Sequence, residues 1–85
     1  MKALRVYEGD QILGTLFVTA AGNLDVDGPD RAGLRSLAEF YTEQMVNVFD
    51  HDPEDLTAED VLGHMSQRLR GRTWAEPADG PTGSR

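Results

Sequence analysis

The stretch LRVYEGDQILGTLFVTAAGNLDV, from Leu4 to Val26, decides the fold. Its strand-forming apolar residues fall on even numbers: Leu4, Val6, Ile12, Leu16, Val18, Leu24 and Val26. A period of two is the signature of strands with one buried face. The even residues are the candidate core. The odd residues Tyr7, Leu13 and Phe17 fall on the opposite face, with no obvious core to enter.

Residues opposite one another in an antiparallel pair share a face, so the loops must preserve the parity. A two-residue turn at Gly9-Asp10 would set Tyr7 against Ile12 and mix the faces. A three-residue loop, Glu8-Gly9-Asp10, instead sets Val6 against Ile12 and Leu4 against Gly14. Ala21-Gly22-Asn23 likewise sets Val18 against Val26. The reading predicts a three-stranded antiparallel meander over roughly 2–8, 11–20 and 24–27.

Asp27-Gly28-Pro29-Asp30 ends the sheet. Pro29 suits the first position of a helix, and Asp27 or Gly28 can cap it. Leu34, Leu37, Ala38, Tyr41, Met45 and Val48 recur at helical spacing, which predicts a helix over about 29–49 with Phe49 beside the stripe. Asp52-Pro53 breaks it. Thr57-Ala58-Glu59-Asp60 reads as a capping-box start for a second helix, whose stripe is Ala58, Val61, Leu62, Met65 and Leu69. Gly71 is the expected stop. The fold class is therefore α+β, ordered β-β-β-α-α, with both helices on the even face. Residues 1–74 form one small domain. Residues 75–85, rich in Pro, Gly, Ser, Thr and acids, read as a disordered tail.

The 85 residues leave room for a modest core, which favours a binding role over an elaborate active site. No cysteine is present, so disulfides and thiolate metal sites are excluded. No apolar run approaches a transmembrane span and no signal peptide is evident, so a cytoplasmic location is expected. The net charge of −7 argues against direct nucleic-acid or membrane binding. Thirteen acids and four bases lie in residues 1–66, against two acids and four bases in 67–85.

Four residues are candidate partner contacts. Tyr7, Leu13 and Phe17 form the uncovered odd face, an apolar patch on the scale of an interface. Trp74 stands among Arg70, Arg72 and Thr73 just past the second helix. Tryptophan and arginine are enriched at hot spots. The bland expectation is that Trp74 docks on the domain as its last ordered residue. The acidic patch Asp50, Asp52, Glu54, Asp55, Glu59 and Asp60 fails as a calcium loop: its sixth position is Asp55 where Gly is required, and its twelfth is Val61 where Glu is required. It reads as a solvated loop and acidic helix start, or as a surface for a basic partner. His51 and His64 are the only histidines, and neither Ser36, Ser66 nor Ser84 has a nucleophile's context. No catalytic residue, metal or cofactor is expected.

Leu4-Arg5-Val6-Tyr7 followed by Leu13-Gly14-Thr15-Leu16 resembles the N-terminal hairpin of HipA-type toxin kinases. The resemblance ends with that hairpin. No kinase residues follow, so no function carries over. Abundant Ala, Gly, Asp and Arg with a single Lys is similar in style to small proteins of actinobacterial genomes and their phages.

The leading expectation is a non-catalytic protein–protein interaction or self-association module, its partner another protein or a second copy. The alternatives are an acidic, DNA-mimic-like inhibitor that occupies a basic groove, and a phage or mobile-element accessory protein.

Overall fold

The computed structural model describes residues 2–79. Gly9 and Asp10 alone close the first hairpin. They join β1 (Ala3–Glu8) to β2 (Gln11–Val18), with Tyr7 opposite Ile12 and Glu8 opposite Gln11. Gly9 has φ +59° and Asp10 keeps a negative φ, the pattern of a type II′ turn. The expected three-residue loop is replaced by this turn plus a bulge. Past Tyr7 the register jumps, so that Val6 faces Gly14, and Leu13 is the extra residue. The bulge restores the parity that the tight turn breaks. It also shifts the ladder by two residues from expectation: Leu4 faces Leu16, not Gly14.

β3 (Leu24–Asp27) follows a loop one residue earlier than expected. The Thr19 N–H donates to the Asn23 carbonyl at 2.8 Å, which leaves Ala20-Ala21-Gly22 as the loop, with Gly22 at φ +87°. Val18 then faces Leu24, and Leu16 faces Val26.

α1 (Arg31–Asn47) begins four residues after β3 ends at Asp27. Asp30 is its N-cap and accepts from the Gly33 N–H at 3.1 Å. The Asp30 N–H donates to the Leu13 carbonyl at 2.9 Å, so the bulge also anchors the helix start. A Cβ on Gly14 would collide with the Asp27 carbonyl and come within 2.7 Å of Leu34 Cδ1. α2 (Ala58–Arg68) opens with the expected capping box between Thr57 and Asp60. Helix stripes and even strand positions meet in one cluster, with Leu4, Val6, Leu16, Leu34, Leu62 and Met65 fully buried. Both helices therefore cover the same face of the sheet. The molecule is two layers thick, 20 Å in its shortest extent.

Two expectations are corrected. The sheet has four strands, not three: β4 (Thr73–Pro77) pairs antiparallel with β1, giving the order β3-β2-β1-β4. The segment from Ala75, expected as a tail, is thus in the sheet as far as Pro77, and the Ala78 N–H donates to the Ala3 carbonyl at 3.1 Å. Ala75 packs against the core because it lies opposite Val6. Trp74 is not the last ordered residue. The remainder of the expected tail, residues 80–85, lies outside the described residues.

Candidate functional site

The sheet face away from the helices is built in three cross-strand rows. Phe17 stands between Asp25 and Ala3 in the first row. The second row is Asp27, Thr15, Arg5 and Glu76. The third is Ile12, Tyr7 and Trp74. Among the described residues no helix or strand lies over this face.

The structure brings Tyr7 and Trp74 together. Their rings stack with centroids 4.2 Å apart and an interplanar angle of 9°. The Trp74 Nε1–H donates to the Gly9 carbonyl at 2.9 Å, and the Tyr7 hydroxyl donates to Glu76 Oε2 at 2.7 Å. The bond to the Glu76 carboxylate raises the Tyr7 pKa above 10.0, and burial and the carboxylate's charge push the same way. Trp74 remains 45% exposed although both its ring and its N–H are held. Phe17 is half-buried on the same face, but the row of Arg5 and Glu76 separates it from the aromatic pair.

Leu13 does not join them. The bulge turns it to the helix side, where it packs against the core, and Ile12 takes its place beside Tyr7. Parity alone assigns each of these two residues to the opposite face. The available signal was the doublet Ile12-Leu13 itself, since two adjacent large apolar residues interrupt strict alternation.

The acidic residues serve local structure. Asp52 Oδ1 accepts from the Glu54 N–H at 3.0 Å, Asp60 closes the capping box with Thr57, and Glu59 meets Lys2 at 3.4 Å. Asp50 takes φ +59°, which ends the α1 turn, and Asp55 donates its N–H to the Asp52 carbonyl at 3.0 Å. Among the described residues no three His, Asp or Glu side chains gather where a metal ion could sit.

A second apolar surface escaped the sequence reading. Phe40 is 59% exposed, Val48 66% and Phe49 44%. Helical spacing predicts Val48 in the buried stripe. Val48 is the C-cap of α1, still helical in backbone and donating its N–H to the Gln44 carbonyl at 2.9 Å, yet its side chain lies in solvent rather than on the core. Phe49 stands edge-on to His64 with centroids 5.2 Å apart, and the Arg68 guanidinium lies 4.8 Å from its ring centre. His64 Nε2 and Gln44 Oε1 are hydrogen-bonded at 2.8 Å, which ties α2 to α1.

Comparison with protein-family models, curated proteins and solved structures found no match. No helix among the described residues is long and apolar enough to cross a membrane.

Proposed function

We propose that the chain is a non-catalytic association module whose outer sheet face meets a second copy of itself. The observation that carries this reading is Trp74, nearly half exposed yet pinned by the Tyr7 ring and the Gly9 carbonyl. An aromatic ordered before binding loses little entropy on contact, which is what a hot-spot residue requires.

The layer arrangement supports a second copy as the occupant. A sheet face with no second layer over it packs well on another sheet face about 10 Å away. Here the contact runs through the half-buried Phe17, Ile12 and Tyr7 and the exposed Trp74, Ala3 and Thr15 between them being already buried. The carboxylates on this face are engaged within the chain: Asp25 by Arg35, Asp27 by the Gly28 N–H, and Glu76 by Tyr7. The middle row sets Arg5 beside Glu76, so the one cation of this face is matched within the chain and a two-fold pairing brings no unpaired charge to the seam. Four strands of about five residues give a footprint of roughly 300 Å². That is well under the usual ~800 Å² per partner, so the dimer is a weak one.

Light scattering over a concentration series tests the reading. Dimer should accumulate only toward the upper end of the concentration series, as for small transient interfaces. It should persist in high salt, because screening reduces repulsion between copies of charge −7. Ile12→Lys with Phe17→Lys should leave a folded monomer. A wild-type chain that stays monomeric throughout would remove the proposal.

A further inference from the structure

The opposite side of the sheet offers a different surface. β3 is an edge strand, and α1 runs beside it. Between them lies an open groove of about 530 Å³. Leu24, Val26 and Ala38 line its apolar part, Arg35 stands at one end, and Glu39 and Glu43 form the helix wall.

The pairing of β3 settles where its backbone points. The bond from the Thr19 N–H to the Asn23 carbonyl makes these two a hydrogen-bonded pair. Hydrogen-bonded and non-bonded pairs alternate along an antiparallel ladder, so Phe17–Asp25 and Thr15–Asp27 are bonded pairs as well. The N–H and C=O groups of Leu24 and Val26 are therefore directed at the open edge, beside the groove. One of them is strapped: the Val26 N–H donates to Asp25 Oδ1 at 2.8 Å, and Arg35 holds the same oxygen at 2.9 Å.

We propose that this groove binds an extended peptide of another protein, added to β3 as a fifth strand, with an apolar and a basic side chain two residues apart. Residues i and i+2 of a strand share a face, so both side chains enter the groove together. The apolar one meets Leu24, Val26 and Ala38. The basic one meets Glu39 and Glu43, and the charge of −7 favours its approach. Main-chain bonds to the edge supply the sequence-independent part of the affinity.

Other occupants fit less well. The chain's own end departs from β4, three strand spacings or about 14 Å from this edge. Residues 80–85, Gly-Pro-Thr-Gly-Ser-Arg, have Pro81 as their one apolar side chain, and it stands four residues from Arg85 rather than two. A second copy joined edge to edge would bring the Asp25 and Asp27 of both copies together, which like-charge repulsion opposes.

The test uses the full chain and a synthetic probe, acetyl-Thr-Thr-Val-Thr-Lys-Thr-Thr-amide, with a counterpart in which Glu replaces Lys. NMR titration should move the amides of Leu24, Val26, Glu39 and Glu43. The Lys probe should bind about tenfold more tightly than the Glu probe, the effect of one or two exposed ion pairs. Glu39→Lys with Glu43→Lys alters only exposed side chains and should reverse that preference. The proposal is overturned if no amide moves, if the shifts fall on Tyr7, Trp74 or the Asp50–Asp60 loop, or if the charge swap leaves the preference unchanged.

Discussion

Tyr7 and Trp74 come from the first and last strands and lie directly opposite each other, rings stacked 4.2 Å apart. Trp74→Ala removes that stack, its buried area and the N–H bond to Gly9. We expect a loss of about 1–3 kcal/mol in urea unfolding. Trp74 is the sole tryptophan, so its fluorescence reports β4 alone. In the wild type, the fluorescence and far-UV circular dichroism transitions should coincide. An earlier fluorescence transition would show that β4 detaches before the sheet melts.

Gly14 and Gly63 should respond in opposite directions to alanine. Gly14 has φ +142°, and a Cβ there strikes the Asp27 carbonyl and crowds Leu34. Gly14→Ala should cost about 3 kcal/mol or more, through strain and a displaced α1. Gly63 lies inside α2 with open space around its missing side chain, so Gly63→Ala should gain up to about 1 kcal/mol. Thermal melts of the two variants check both signs.

Serine scanning at the bulge separates two neighbours. Leu13 packs on the core, whereas Ile12 shares the outer face with Tyr7. Leu13→Ser should destabilise by about 1–2 kcal/mol more than Ile12→Ser, since it removes a core contact and places a hydroxyl there. Equal urea midpoints for the two variants would contradict the register.

Alternation from Leu4 to Val26 places three strands and their buried face, and the helical spacing of the apolar residues after Pro29 and Thr57 places the two helices that cover it. Alternation could not place a bulge, because a bulge trades one residue of register for a better turn and leaves the composition unchanged. Gly9 prefers the tight turn, and the extra residue Leu13 repairs the faces. β4 was illegible for another reason. Thr73-Trp74-Ala75-Glu76-Pro77 has little apolar periodicity of its own. Its place in the sheet depends on the distant residues Tyr7 and Val6, which local pattern does not register. The exposed patch at Phe40 and Phe49 lay just off the helical stripe, where periodicity assigns neither burial nor a partner.

Mild acid should weaken the α1–α2 contact. Burial lowers the His64 pKa below 6.5, and the positive charges of Arg68 and His51 lower it further. The unfolded chain therefore binds this proton more tightly than the folded one. Stability is full above about pH 6.5 and declines as pH falls through that value. His64→Gln should flatten the urea midpoint between pH 7.5 and 5. Asp25 adds a separate loss at lower pH: the Val26 N–H, with Arg35 beside it, holds its pKa below 3.8, so its contribution disappears as the carboxylate is protonated.

The pairing of β4 with β1 sets an order of events during synthesis. β2, β3 and both helices are all synthesised between β1 and its partner β4. Until β4 is made, β1 offers the backbone groups of Ala3, Arg5 and Tyr7 to any passing strand. The nascent chain is most vulnerable to mispairing in this interval, and Trp74 arriving on Tyr7 ends it.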